Sequence, residues 1–415
     1  MKICYVSTFP PSERMLNEYA FHIVRTVKDD ASNSITVLAD EQQGPVRELD
    51  GFNVVRTWQF NSLSNPFRIL AKVRELKPDV VWFNLLFATF GNQLNPAAAF
   101  SGLLAPALVR TAGYQTHITL HHLMDHVNLE DAGVRNQFLY RLAGWAATKA
   151  LLQADSVTVL LPGYRRTLVE KYKAKNAYFS PHGIFCSRPE PPTMERRGNP
   201  EHRLLALGHW GTYKRLEMLM DTFPQIAAKI PNAKLIVAGC DHPITPGYIE
   251  SIAQKYRHDS RIEFAGYIPE EQIPELFRTT SLLLMPYSSS TGSSGVAHQA
   301  AEYGVPIVCA DLPEFREMGE QEGLAIQFYD ANNSSSFVDS VVDLLNSRSR
   351  LEEMSRRNYH AAERMTLPFI VQGYLELFRN SMRKNSRTRG FAEPAVVRSP
   401  GVAPSESDTT AQAFD

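Results

Sequence analysis

Five small uncharged residues, Thr291, Gly292, Ser293, Ser294 and Gly295, open a segment that reads TGSSGVAHQAAEYG. Apolar runs precede and follow this segment, which predicts a helix between two strands. The first N–H groups of a helix have no intrahelical partner and carry partial positive charge, and small side chains let an anion approach them. The pattern indicates a phosphate site, while a simple helix cap, for which serine and glycine are common, is the alternative.

A second group of residues with ligand chemistry lies in THITLHHLMDH, which contains His117, His121, His122 and His126. Neutral imidazole is a common metal ligand. Alternation along a strand places His117 and His121 on one face and His122 on the other. No carboxylate-rich ligand set accompanies these histidines, so a metal site is the weaker interpretation and we predict none.

These residues lie in a chain that alternates apolar strands with helical segments in each of its halves. The predicted strands of the first half are at 2–7, 35–40, 78–85, 116–123 and 155–161. Those of the second half are at 203–208, 233–239, 261–266, 281–287 and 305–311. Near-continuous apolar runs are typical of parallel strands that helices cover on both faces. Two such doubly wound sheets that face each other would form a cleft at the carboxyl ends of their strands, where ligands bind.

Changes in composition predict the domain boundaries. We expect a first Rossmann-like domain at 1–187, a linker rich in proline and charge at 188–202, and a second domain at 203–365. A C-terminal helix is expected at 366–385. A disordered tail is expected at 386–415, because this segment has a low density of hydrophobic residues and no periodicity.

Overall charge and cysteine usage exclude some partners and compartments. The net charge is −1, so no global field favours nucleic acid. Residues 1–190 carry 20 Lys+Arg and 16 Asp+Glu, a net of +4, and the remainder carries 23 and 28, a net of −5. The four cysteines include no CxxC pair, which favours reduced thiols and a cytoplasmic protein.

Two features bear on membranes. Residues 80–109 are uncharged, but GNQLNP divides them into pieces too short to span a bilayer as a helix, so we expect a buried strand, a loop and a buried helix. The basic segments FRILAKVRELK (67–77) and YRRTLVEKYKAK (164–175) predict weak peripheral contact with an anionic membrane at its inner face. An ordinary solvated face is the equal alternative for both segments.

The order and spacing of several motifs over residues 1–380 resemble the retaining glycosyltransferases of family 4. The matching pieces are YVSTFPP, PDVVWFN, ITLHH, FSPHGI, LGHWGTYKRLEMLM, AKLIVAG, RIEFAGYIPEEQIPELF, LLLMPY and AEYGVPIVCAD, followed by Glu317. The resemblance implies the GT-B fold, in which two Rossmann-like domains face across a cleft and the second binds a nucleotide-diphosphate sugar. The resemblance implies no cofactor and no catalytic metal.

The resemblance also assigns roles to residues of the second domain. Lys214, in the segment that follows Gly208, matches the lysine that grips the donor diphosphate in such enzymes. His209 stands where the family often has an arginine, and histidine is only partly charged at neutral pH. The implied phosphate site therefore depends on Lys214 and on the backbone N–H groups of Ser293, Ser294 and Gly295.

Two further positions depart from the family, and one matches it. The family commonly has two glutamates eight positions apart, which would fall at Thr291 and Gln299. Gln299 can still accept a hydrogen bond from a ribose hydroxyl, but Thr291 cannot supply a charge. Glu302 lies three positions beyond Gln299 and either compensates or faces solvent. His121 matches a histidine that lies over the donor sugar.

The implied reaction moves a sugar from a nucleotide diphosphate to an acceptor hydroxyl with retention, in polysaccharide or glycolipid assembly. Sequence does not identify the acceptor. The missing glutamates leave open a GT-B protein that binds a nucleotide or sugar without transferring it. A nucleotide-sugar epimerase of the same fold is a third possibility.

Overall fold

The structure, a computed structural model, describes residues 1–42, 44, 49–92, 95–127, 129, 136–186, 188, 189, 191, 192, 202–242, 245–290 and 292–388. Thr291, most of the predicted linker and the tail beyond residue 388 lie outside the described residues. The described chain forms two parallel sheets that helices flank, which confirms the predicted fold class.

The first sheet has seven parallel strands in the order β3-β2-β1-β4-β5-β6-β7. They are β1 Lys2–Val6, β2 Ser34–Asp40, β3 Val54–Trp58, β4 Val80–Leu85, β5 Gln115–Leu120, β6 Ser156–Val159 and β7 Ala177–Phe179. The order reverses at β1 and β4, which is the doubly wound arrangement that places a ligand crevice at the carboxyl ends of these strands.

The second sheet has six parallel strands in the order β10-β9-β8-β11-β12-β13. They are β8 His202–Trp210, β9 Ala233–Asp241, β10 Ile262–Gly266, β11 Leu282–Met285, β12 Ile307–Ala310 and β13 Ile326–Tyr329. Its order reverses at β8 and β11, so the loops after these two strands are the expected place for a ligand.

Helices cover both faces of each sheet. In the first half they are α1 Asn17–Lys28, α2 Asn65–Leu76, α3 Pro96–Gly102, α4 Ala105–Thr111, α5 Gln137–Leu151 and α6 Pro162–Glu170. In the second half they are α7 Leu216–Lys229, α8 Tyr248–Tyr256, α9 Ile273–Arg278, α10 Gly295–Glu302, α11 Pro313–Glu322, α12 Ser334–Leu345, α13 Arg348–Glu363 and α14 Leu367–Thr388. Short 3₁₀ turns lie at Met124–His126, Thr212–Lys214 and Glu270–Gln272.

The central strands are apolar along their length because both faces are buried. All six residues of β4, VVWFNL, are buried, and so are the four residues of β11 and of β12. The uncharged stretch at 80–109 contains the predicted buried strand, β4, but two short helices, α3 and most of α4, stand where one buried helix was predicted. Among the described helices, none is long and apolar enough to cross a bilayer.

Helix α14, the last one in the described part of the chain, returns to the first sheet. Tyr374 and Phe378 pack on Trp82 of β4 with ring centroids 4.8 and 5.1 Å apart, and Phe378 also lies 4.9 Å from the ring of His117. Just before α14 the chain runs beside an earlier segment, where the backbone N–H of Ile184 donates to the carbonyl of Met365 at 2.9 Å. The sheet of the first half is therefore covered in part by α14.

Some boundaries differ from the prediction. Strand β5 ends at Leu120, so His121 and His122 belong to the loop that follows it. Helix α14 continues to Thr388, three residues into the predicted tail. All four cysteines are free, as expected; Cys4 and Cys309 are buried, and Cys186 and Cys240 are partly buried.

Candidate functional site

Lys214 lies in the 3₁₀ turn that follows β8, and its side chain is buried at 8% exposure. Its Nζ lies 5.0 Å from the ring centroid of Tyr287, 5.9 Å from that of Trp210 and 6.0 Å from that of Tyr213. Burial lowers the pKa of Lys214 from 10.5 to about 8, and the nearby Cys240 thiol offsets a small part of this effect. Among the described residues no carboxylate forms an ion pair with this ammonium, so an anionic ligand would stabilise it.

Gly208 is the glycine that makes room for this lysine. Its φ is +147°, and a Cβ at this position would lie 2.5 Å from the Nζ of Lys214. A side chain here would therefore displace the ammonium. His209, the next residue, is exposed at the end of β8.

The loop between β11 and α10 is attached to the turn that carries Lys214. The backbone N–H of Ser288 donates to the carbonyl of Tyr213 at 2.8 Å, and the Ser288 hydroxyl donates to the same oxygen at 3.1 Å. The ring of Tyr287, at the start of this loop, is the aromatic face nearest to the Lys214 ammonium. The predicted lysine and the predicted helix start therefore lie at one edge of the second sheet.

Helix α10 begins at Gly295 and is capped by Ser294, whose Oγ accepts a hydrogen bond from the N–H of Ala297 at 3.3 Å. The capping role considered from the sequence is therefore present. Ser293 places its hydroxyl 3.9 Å from the sulfur of Met318. Because a cap uses only one of the free N–H groups, it does not exclude an anion at the same helix end.

The start of α10 faces the first sheet. A Cβ on Gly292 would lie 2.7 Å from the carbonyl oxygen of His121, and one on Gly295 would lie 3.7 Å from the ring of His182. The small residues of this segment therefore permit close approach of the two halves. They place the predicted phosphate site directly beside the backbone of His121 and the ring of His182.

His121 is held in one orientation by a buried hydrogen-bond chain. Its Nε2 lies 2.7 Å from Oδ1 of Asn84, whose Nδ2 donates to the hydroxyl of Ser7 at 3.0 Å. Because the amide oxygen can only accept, Nε2 carries the proton and Nδ1 keeps a free lone pair. Burial, and then the neighbouring His182 and His122, hold the pKa of His121 well below its usual range. A neutral ring of this tautomer can accept a hydrogen bond from a sugar hydroxyl.

Aromatic residues and histidines surround His121. Tyr19 of α1 packs on His121 and on His182, with ring centroids 4.8 Å apart in each pair. Burial lowers the pKa of His182 to about 3, and the neighbouring His298 contributes to this shift. The side chains that the first half contributes to this group, Tyr19, His121 and His182, are therefore uncharged.

His298 connects α10 to α11. Its Nδ1 lies 2.7 Å from the carbonyl of Ser294 and its Nε2 lies 2.8 Å from Oε2 of Glu322. Burial alone would lower the pKa of His298, but the Glu322 carboxylate outweighs this effect and raises it above the usual value. This ion pair fixes the helix start that Ser294 caps.

Two other histidines of the first half, His117 and His126, have structural surroundings. His117 is buried in the core, with Nδ1 2.8 Å from the hydroxyl of Ser156, and His126 Nε2 lies 2.9 Å from the hydroxyl of Thr167. Within the described ranges, no three His, Cys, Asp or Glu side chains are grouped so that they could hold a metal ion.

Gln299 points across the cleft. Its Nε2 lies 3.5 Å from Oε1 of Glu18, at the start of α1. Desolvation by neighbouring protein atoms and then the Glu270 carboxylate raise the pKa of Glu18. Glu302 does not simply face solvent, because it is partly buried and interacts with the backbone of Phe185 and Cys186. Thr291 lies outside the described residues.

The sequence interpretation missed four residues that lie around His121 and Lys214: Tyr19, Asn84, His182 and Tyr287. The last three lie in motifs that were recognised, PDVVWFNL, FSPHGI and LLLMPY. Glu18 was missed as well, because its position near Gln299 depends on how the two halves face each other.

Comparison with known proteins matches residues 201–347 to the family model described as Glycosyl transferases group 1. A mannosylfructose-phosphate synthase from Agrobacterium fabrum (strain C58 / ATCC 33970) is 26% identical over 170 residues. This alignment covers 37% of this chain and 37% of that protein, so the chain spans little more than a third of the curated relative that it matches.

Solved structures share the architecture of about nine tenths of the chain. Sucrose-phosphate synthase from Thermosynechococcus elongatus superposes with a TM-score of 0.70 at 14% identity, covering 92% of this chain and all of that one. Anabaena HepE in complex with UDP and glucose superposes with a TM-score of 0.66 at 16% identity, covering 91% and 99%. These likenesses confirm the GT-B fold.

Proposed function

We propose that this chain, whose residues 201–347 match the family model of the group 1 glycosyl transferases, moves a sugar from a nucleotide-diphosphate sugar to an acceptor hydroxyl with retention. The acceptor is a growing glycan or glycolipid, and the protein acts in the cytoplasm at the inner face of a membrane. A uridine nucleotide is the first donor to test, because HepE is described in complex with UDP-glucose.

The observation that carries this proposal is the position of Lys214. Its buried ammonium lies among three aromatic rings and pairs with no described carboxylate, and it shares a sheet edge with the capped start of α10. A diphosphate between these two groups would meet one full positive charge and the positive end of a helix. His209 lies beside this position, where it can add a hydrogen bond.

In the proposed reaction the acceptor attacks from the face that the leaving group vacates. The bond from the anomeric carbon to the phosphate oxygen breaks, a bond to the acceptor oxygen forms, and the acceptor proton passes to the departing phosphate. Lys214 and the backbone amides at 293–295 stabilise the charge that develops on that phosphate. His121 accepts a hydrogen bond from the sugar, and Gln299, with Glu18 opposite, contacts the ribose.

A protein that binds the same ligand without transfer is the second candidate. It is favoured by Gln299, which stands where the resemblance predicts a carboxylate. The test is to incubate purified protein with UDP-glucose and other nucleotide sugars and to measure release of the nucleotide diphosphate. Release that is at least tenfold slower in Lys214→Met and His121→Ala supports an enzyme. Donor binding without release under any acceptor condition would establish the binding protein instead.

A further inference from the structure

Helix α5 has apolar residues on two opposite faces. Its inner face is buried through Gly144, Ala147, Thr148 and Leu151 and packs beside α4 and the 3₁₀ turn at Met124–His126. Its outer face carries four exposed hydrophobic side chains, Phe138 at 79%, Leu139 at 57%, Leu142 at 51% and Trp145 at 43% exposure. Positions 138, 142 and 145 follow a helical spacing of four and three, so their side chains form one stripe. Isolated exposed hydrophobic residues are ordinary, whereas a contiguous stripe marks an interaction surface.

Positive charge borders this stripe. The only charged residues of α5 are Arg141 and Lys149. Lys149 Nζ donates to the carbonyl of Tyr172 at 3.1 Å, which brings the segment 171–176 beside the last turn of α5. Lys173 and Lys175 of that segment are exposed, and within the described residues neither forms an ion pair.

We infer that the outer face of α5, together with Lys173 and Lys175, docks on an anionic lipid bilayer with the helix in the plane of the interface. The apolar stripe would enter the boundary between headgroups and acyl chains, and the lysines would meet the phosphates. Trp145 has the amphipathic ring that is enriched at such interfaces.

A second copy of the chain fits this surface less well. A symmetric dimer through α5 would place the same patch on both partners, and therefore basic residues against basic residues. Like charges at an interface oppose association, whereas anionic lipid complements them.

The structure also distinguishes α5 from the basic helix α2. Arg68 of α2 pairs with Glu41, and Lys72 pairs with Glu75 at 2.6 Å, so much of the positive charge on α2 is neutralised. Phe67 is exposed at 67% on α2 and provides a matched control for Phe138.

Trp145 gives a direct readout in the full-length protein. The other three tryptophans, Trp58, Trp82 and Trp210, are fully buried, so a change in emission on lipid addition reports mainly on α5. We expect vesicles of phosphatidylglycerol and phosphatidylcholine in equal parts to shift the emission to shorter wavelength. Brominated acyl chains should quench it. Pure phosphatidylcholine vesicles, or high salt, should weaken both effects.

The double variant Phe138→Ser/Leu142→Ser should lower the partition coefficient by at least about tenfold, because each lost apolar side chain removes binding energy. Phe67→Ser should bind vesicles like the wild type. Equal vesicle binding by the double variant and the wild type would overturn the inference. A second result would also overturn it: a wild type that forms dimers in light scattering and binds no vesicles, with the dimers lost in the double variant. That result would assign the stripe to contact with a second copy of the chain.

The inference rests on the proposed function only in placing the acceptor at a membrane. Titration of the same proteins with a nucleotide sugar distinguishes failure of the docking surface from failure of the proposed function. A wild-type protein that binds nucleotide sugar normally but does not bind anionic vesicles would reject the docking surface alone. Vesicle binding by a wild-type protein that binds no nucleotide sugar would reject the proposed function alone.

Discussion

Replacing Lys214 with methionine should raise the stability of the free protein and weaken its binding of donor. Methionine keeps an unbranched side chain against Tyr287 but removes the charge that burial disfavours. The pKa of Lys214 falls from 10.5 to about 8 on folding. At 1.36 kcal/mol per unit, this shift makes the buried charge cost at most about 3 kcal/mol of folding free energy at pH 7.

The sign of this effect depends on pH. A lysine whose pKa is depressed by folding opposes folding most at a pH below its folded pKa, where both states are charged. As the pH rises from about 8 to 10.5, the folded protein loses the proton and the cost disappears. The stability gain of Lys214→Met should therefore be largest at pH 7 and should shrink above pH 8.

Donor binding should change in the opposite direction. Loss of a charge-assisted contact with the diphosphate should cost about 1.5–3 kcal/mol, which is roughly a 10- to 150-fold weaker Kd. Denaturant titration measures the first effect and titration calorimetry with a nucleotide sugar measures the second. Lys229→Met is the matched control, because Lys229 is an exposed lysine that pairs with Asp339 at 3.1 Å. A Lys214→Met protein that is less stable than the wild type and binds donor equally well would refute the reasoning.

Three further predictions concern the same site. Wild-type donor affinity should be constant below the pKa of Lys214, about 8, and should fall at higher pH because only the protonated amine binds the diphosphate; calorimetry between pH 6.5 and 9.5 measures this, and a flat profile would contradict it. Ser294→Ala should lower unfolding free energy by about 0.5–2 kcal/mol through loss of the cap, with donor affinity intact. Gly295→Val should weaken donor binding by blocking approach to the helix start and crowding His182, and a folded Gly295→Val protein with normal affinity would remove the phosphate site from this loop.

The central strands of both sheets could be predicted from sequence, because strands buried on two faces must be apolar throughout. Three of the four edge strands were missed: β3, β7 and β13, with the sequences VVRTW, AYF and IQFY. An edge strand is shorter or partly exposed, so its residues give a weaker apolar signal.

The candidate site could be predicted only in part. Lys214 was predicted from the resemblance to a family motif, and the start of α10 from its local run of small residues; the structure places both at one edge of the second sheet. The hydrogen bond from His121 to Asn84 and the approach of Gln299 to Glu18 join residues 37 and 281 positions apart. Contacts of this kind depend on strand order and on how the two halves meet, and neither leaves a local pattern in the sequence.

The return of α14 has a consequence for how this protein is made. The packing around the ring of Trp82 is completed by Tyr374 and Phe378, which the ribosome adds almost three hundred residues later. Domains usually fold in order as they emerge during synthesis. In this chain the first sheet cannot complete its core until α14 has been synthesised, so the apolar face that α14 covers stays open while the whole second sheet is being made.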